Sequence, residues 1–328
     1  MKKTFLVAVV LLATAANSFG WAEWNYDGSG NHSWDNPANW GGAVPTPSDD
    51  PIMRDAGAGY AEVGTGVNAV GNMMWMYGGG AATLNVNGGN LALGQLRIGV
   101  DGGDKTVNVS NDGTVSMWSD STVGQGGNGN LNVTGSGSSV TQTGGWMYLG
   151  LGGSGNIALS NGATMSVPCI RAWTGAISVS SGATLTLNGD TTVGESGNVD
   201  MIINGGTVNQ AAGWMYVGFG GTGSIEIGDG GLLSVIALSM DNASTDNVDL
   251  SGTGAIEIRD ARPEDIAFQM NWYAGQGLLT VNGGQSAVGM LSFAVDEVTQ
   301  FTTVTIIPEP ATLALLAIGS GLLIRRKK

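Results

Sequence analysis

Apolar and polar residues alternate one by one in short runs through the middle of the chain: TVNVS (106–110), NLNVT (130–134), NIALS (156–160), AISVS (176–180), VDMII (199–203) and SIEIG (224–228). A period of two marks a strand with one face buried. A turn and a second short run follow, as NDGTV, NGATM, SGATL, NGGTV and DGGLL. Segments with an aliphatic residue before glycine complete the unit: LRIGVDGG (96–103), STVGQGGNG (121–129), MYLGLGGSG (147–155), TTVGESG (191–197) and MYVGFGGTG (215–223), with CIRAWTG (169–175) filling the gap. They recur at roughly 22 to 26 residues. Each unit therefore reads as about three short strands separated by sharp corners. No such unit buries its apolar side alone, but a stack of them at about 4.8 Å per coil encloses a continuous core.

This pattern predicts an all-β protein, a right-handed parallel β-helix or solenoid. Residues 57–260 form the coils, roughly eight or nine of them, in a rod about 40 Å long. Residues 23–56, rich in Trp, Pro and Asn, are expected to form an N-terminal cap that stops further strand pairing. Residues 261–306 lose the repeat and read as a short β-rich closing segment. No stretch of the body shows capped 3.6-residue periodicity, so helices should be nearly absent.

The same alternation sorts a string that occurs three times, Trp-Met-Tyr at 75–77, 146–148 and 214–216. If Val123, Leu149, Val193 and Val217 point into the core, then Ser121, Met147, Thr191 and Met215 point inward too, as do Met74 and Met76. Trp75, Tyr77, Trp146, Tyr148, Trp214 and Tyr216 are left outside, with the strings about three coils, or roughly 14 Å, apart. Two readings stay open. Either loops, the cap or neighbouring side chains shield these rings, or they form a face for a polysaccharide or another surface protein, since flat rings suit sugar faces and Tyr adds a polar edge.

Composition narrows the function. The chain has 328 residues, 57 of them Gly, and a net charge of −14. Asn-Gly, Asp-Gly and Ser-Gly pairs supply the positive-φ corners such a coil needs, which accounts for the glycine excess. Apart from the cations at the two ends, the basic residues are Arg54, Arg97, Lys105, Arg171, Arg259 and Arg262. So acidic a body repels phosphate backbones and excludes nucleic-acid binding. The single Cys169 leaves no internal disulfide and reads as a small filler. With only His32, His/Cys metal sites cannot be assembled.

Both ends carry addresses. Lys2 and Lys3 precede the apolar TFLVAVVLLATAA and a group of small residues, the layout of a secretory signal peptide over residues 1–22, cut between about Ala16 and Ala22. At the other end Pro308, Glu309 and Pro310 precede an apolar run from Ala311 to Ile324 and four terminal cations. That run is short for a spanning helix, which needs about 20 residues, and the cations hold it with its end in the cytoplasm.

Pro308-Glu309-Pro310, the apolar run and the basic end with Arg325 and Arg326 resemble the PEP-CTERM sorting signal over residues 307–328. The resemblance implies a single transmembrane sorting helix recognised by an exosortase, a transient or stable membrane anchor, and delivery to the cell surface or an exopolysaccharide matrix. An uncleaved tail anchor is the alternative. The stretch from Val123 to Val167 is similar to the β-helical repeats of autotransporter passenger domains and of other PEP-CTERM surface proteins. No C-terminal translocator barrel accompanies it, so autotransport is not implied.

Other motifs fail on context. GQGGNG (124–129), GLGGSG (150–155) and GFGGTG (218–223) satisfy G-x-G-x-x-G, but a strand follows each where a dinucleotide site requires a helix. Near-matches to a calcium-binding repeat carry Leu131, Ile157 and Ile225 where the ligand Asp belongs. Neither a cofactor nor a metal is expected. The rival function is a β-helical polysaccharide lyase or glycosidase, which needs clustered carboxylates with a cation. Asp120, Asp190, Glu195, Asp200 and Glu226 are scattered singly and read as solvated charges, so no catalytic residue is assigned. The expectation is an exported, non-enzymatic structural or adhesive protein.

Overall fold

The computed structural model describes residues 20–25, 28, 30–54, 60–241, 246–259 and 262–307. Within them the chain is an all-β solenoid of about eight turns with little helix. Each coil places one strand in each of three parallel ladders. The first runs from Tyr60–Gly64 through Asp104–Ser110 and Asn198–Asn204 to Leu279–Val281, in an 11-stranded sheet. The long strands Asn68–Tyr77 and Asn90–Val100 continue through the corner between the second and third ladders, which joins those two in one 19-stranded sheet.

Alternation builds the core as columns. Leu84, Val107, Leu131, Ile157, Ile177, Met201, Ile225 and Val248 stand in register on successive coils and are all buried. The three residues that replace a calcium-ligand Asp, Leu131, Ile157 and Ile225, belong to this column. In the third ladder Val123, Leu149, Val193, Val217, Met147 and Met215 are buried as the alternation requires, with Ser121 and Thr191 buried among them. Fully burying each aliphatic side chain contributes roughly 1.5–3 kcal/mol, so a column of eight outweighs any single surface contact.

Glycine is required where the corners touch. Gly150 has φ +70°, and a Cβ there would lie 1.9 Å from the carbonyl oxygen of Thr174. Such a corner admits no side chain at all.

Before the first full coil, Trp24, Trp34 and Trp40 pack into the core, with Trp24–Trp40 centroids 5.0 Å apart and Trp34–Trp40 4.6 Å apart. The backbone N–H of Trp34 donates to Glu62 O and that of Glu62 to His32 O, which satisfies part of the edge of the strand Tyr60–Gly64. Asp50–Met53 continues the third ladder outward to Trp21–Glu23, where Trp21 pairs with Asp50 and Ala22 with Pro51. This strand begins inside the segment 1–22 read above as signal peptide.

The other end departs from expectation in one respect. Residues 261–306 hold strands, but also the helix Pro263–Gly275. Its role is edge protection: Tyr273 Oη accepts from Met240 N and donates to Leu238 O (both 3.3 Å), and Gln269 Nε2 donates to Leu238 O. These are backbone groups of the terminal strand Ala237–Met240, which would otherwise offer a free edge. The second ladder ends differently, with Phe301–Ile306 pairing antiparallel to Ala255–Arg259. Among the described residues no helix is long and apolar enough to cross a membrane. Pro308, Glu309, Pro310, Arg325 and Arg326 lie outside them.

Candidate functional site

The outward side chains of the third ladder form one continuous row. Trp75, Arg97, Thr122, Tyr148, Arg171, Thr192, Tyr216 and Ser239 are paired one to the next on eight successive coils. All six rings singled out by sequence therefore lie on one side of the rod, and the strings sit on the first, fourth and seventh coils. The first string is out of step with the others. Trp75, not Tyr77, occupies the row of Tyr148 and Tyr216, and an irregularity between Met76 and Tyr77 places Tyr77 opposite Val100 at the corner.

Sequence reasoning saw the rings and missed what stacks on them. The guanidinium of Arg97 lies 4.8 Å from the Trp75 ring centroid and that of Arg54 lies 4.7 Å from Tyr77. Arg171 lies 5.3 Å from both Trp146 and Trp173. Such contacts contribute about 0.5–2 kcal/mol each. Three of the six basic residues inside the chain are thus gathered here. Arg171 is also paired through Nε and Nη2 with Glu195, whose Oε2 is 2.7 Å from Nε and accepts from Thr192 Oγ1 at 3.1 Å. Arg97 donates only to the amide oxygens of Gln95 and Gln125 and has no carboxylate partner among the described residues.

Among the described residues no cation covers the third string. Trp214 and Tyr216 pair with Ala237 and Ser239, and Trp214 is 49% exposed. Its rings stack with centroids 6.2 Å apart, and Phe219, 57% exposed, adds a third ring 5.5 Å from Tyr216. Trp173, 5.6 Å from Tyr148, is likewise a member of the face. Phe219 and Trp173 follow a corner glycine and a strand end, where period two no longer assigns a side, so the alternation could not find them.

A repeated acidic device fixes the strings. Asp120 Oδ1 accepts from the Trp146 N–H at 2.7 Å, and Asp190 Oδ1 from the Trp214 N–H at 2.8 Å. Asp50 Oδ1 does the same for Met73 at 3.1 Å, one coil below the first string. Asp120 and Glu195 are therefore structural acceptors held partly out of solvent, a correction to their reading from sequence, while Asp190 makes the same bond and stays exposed as that reading has it. Lys105 is fully buried, and its Nζ donates to Gly78 O (3.0 Å) and Gly80 O.

Two carboxylates do meet on adjacent coils. Glu226 stands opposite Asp249 in a groove of about 570 Å³ on the first ladder. Asp249 already accepts from Thr280 Oγ1 and from the N–H groups of Gly283 and Gly284, so its lone pairs hold a turn. Cys169 is half-buried, and burial, with a smaller push from Asp190, raises its thiol above the ordinary range, which disfavours the reactive thiolate.

Compared with protein-family models, curated proteins and solved structures, the chain has no match. The chain is a β-solenoid with one aromatic and arginine-lined face.

Proposed function

We propose that the protein is an exported structural or adhesive component of the cell surface or extracellular matrix, and that its aromatic face holds polysaccharide. The observation that carries this is the single row from Trp75 to Ser239, in which rings and guanidiniums recur on one side of a rigid rod. Rings stack on the apolar faces of sugars, while Tyr, Arg and Gln edges supply hydrogen bonds. A flat sheet face contacts a polymer along its length and needs no deep pocket.

The processing signals complete the proposal. Residues 1–22 direct export, residues 307–328 act as a PEP-CTERM-type signal for an exosortase, and the membrane is engaged at least transiently through the C-terminus. The coil is right-handed, and residues 23–56 cap it. The lyase or glycosidase reading finds its best place at Glu226 and Asp249. Because Asp249 is committed to three hydrogen bonds, we assign that pair no catalytic role.

The test is retention on the producer's own matrix. Wild-type protein should be held, and the Trp146→Ala/Trp214→Ala double variant should be washed off at least about tenfold more readily. Equal retention, with both proteins folded by circular dichroism, would sink the proposal.

A further inference from the structure

At the N-terminal end of the aromatic face an apolar floor lies under three rings. Ile52 points outward from its strand, in the row of Trp75, yet is only 2% exposed. Val100, opposite Tyr77, is also buried. Trp75 and Tyr77 wall one side, and Trp21, 72% exposed on the outermost strand, walls the other. Between them is a cleft of about 270 Å³. Drug-sized ligands take about 300–1,000 Å³, so this space fits one ring and not a chain segment.

The rim is polar and nearly balanced in charge. Asp50 and Asp101 line the cleft. Asp50 is held by Asn72 Nδ2 and Met73 N, and the N–H of Asp101 donates to Gln125 O, which fixes its position at the lip. The cations lie against the ring walls, Arg54 on Tyr77 and Arg97 on Trp75, and Arg54 is paired with Glu23 at 2.8 Å. Glu23, Asp50 and Asp101 against Arg54 and Arg97 leave one net negative charge. A uronate would meet the two lining carboxylates, Asp50 and Asp101, while Arg54 and Arg97 against the ring walls offset the pull of those carboxylates on an ammonium. Hydroxyl groups, which both donate and accept, match such a rim best.

We infer that this cleft seats one neutral pyranose unit of a glycan, stacked between Trp21 and Trp75, with hydroxyls donating to Asp50 and Asp101. The inference rests on the polysaccharide reading above and names the sugar class and the place. Among the described residues the second and third strings have no ring on an outermost strand to face their Trp as Trp21 faces Trp75, and the cleft of about 260 Å³ beside the third is lined by Tyr216 and Phe219 without a Trp. A cut of the signal peptide must then fall before Trp21.

The experiment uses the exported, ¹⁵N-labelled protein, whose first residue is read by mass spectrometry. Its indole N–H signals are followed while cellohexaose, β-1,4-mannohexaose or the β-1,4-mannuronate hexamer is added. At least one neutral hexamer should shift the Trp21 and Trp75 signals, and the mannuronate, which differs from mannohexaose by its carboxylates, should bind at least about tenfold more weakly. Trp21→Ala and Trp75→Ala should each weaken the neutral hexamer about tenfold, and Phe268→Ala, exposed on the closing helix, should not change it. Trp21 is exposed, so its variant remains folded even if the Trp75 variant does not. A mature chain beginning after Trp21, no shift with either neutral hexamer at millimolar concentration, or equal binding of mannuronate would overturn the inference. Matrix retention separates the two claims. If the Trp146/Trp214 double variant is lost from the matrix while the Trp21 and Trp75 variants are kept, the face stands and the cleft falls.

Discussion

The outer side chains of the first ladder and those of the third stand on equivalent coils over equivalent core columns, but they spend their polar groups differently. On the first, Asn132 Nδ2 donates to Asn108 Oδ1 and Asn108 Nδ2 to Asn85 Oδ1, each at 2.9 Å, while Asn156 donates to Asn130 at 3.0 Å. The amides form ladders of their own, as in stacked cross-β assemblies. On the third, rings and guanidiniums stack, Arg97 keeps an unneutralised charge, and the last rings are bare. One face satisfies itself and the other leaves groups for a partner. A solenoid can afford this division because each face is only one strand wide and the core beneath does not depend on it.

The largest expected effect breaks the self-satisfied face. Asn108→Asp keeps an acceptor for Asn132 but sets a carboxylate oxygen against Asn85 Oδ1 in a half-buried row, losing one hydrogen bond and adding repulsion. Stability should fall by about 1–3 kcal/mol in urea unfolding, with matrix retention of the folded protein unchanged. A loss below about 0.5 kcal/mol would mean that the amide ladder is decoration.

A smaller effect is expected where the aromatic face is itself locked. Arg171→Ala strips Trp146 and Trp173 of their cation and leaves Glu195, whose side chain is 11% exposed, with only Thr192. Because the Arg171 side chain is 37% exposed, the loss should be about 1–2 kcal/mol, well short of a fully buried pair. Arg171→Lys should recover less than half, since an ammonium cannot form the bidentate fork or stack as a plane. Full recovery by Lys would make the contact one of charge alone.

How far these faces were legible follows from what period two can and cannot encode. It placed Met147 and Leu149 inside and Trp146 and Tyr148 outside, and it counted three coils between strings, because inward and outward positions are fixed by local backbone geometry. It could not see that Trp75 shares a row with Tyr148, which depends on the pairing of Arg97 and Thr122 two coils on. Nor did it reveal the acceptor roles of Asp120 and Asp190 or the burial of Lys105, which arise between coils far apart in sequence. The helix Pro263–Gly275 escaped because its apolar residues do not form a clean stripe. Tyr273 is buried, while Phe268 and Trp272 are exposed.

The seam between the two faces supplies the finest test. Next to the corner glycines Gly124, Gly150 and Gly194 stand Ser154, Thr174 and Thr222, but next to Gly218 stands the carboxylate of Asp246. It is 2% exposed; Oδ1 accepts from Gly223 N at 2.8 Å and Oδ2 has no hydrogen-bond partner among the described residues. Burial pushes this carboxyl above the ordinary range, the Gly223 N–H partly offsets that, and Asp241 pushes it further up. The folded state thus holds the proton more tightly than the unfolded chain does. Lowering the pH through the raised value should therefore stabilise the fold, with the gain complete once the unfolded carboxyl also protonates near its ordinary value. At neutral pH the anion is a liability. Asp246→Asn retains the oxygen for Gly223 and removes the charge, so it should raise stability by about 1 kcal/mol at pH 7 and flatten that part of the pH profile. Unfolding curves of the two proteins at pH 7 and pH 4 decide it: a variant less stable at pH 7 would show that the charge at this corner is compensated and that the seam, like the asparagine face, satisfies itself.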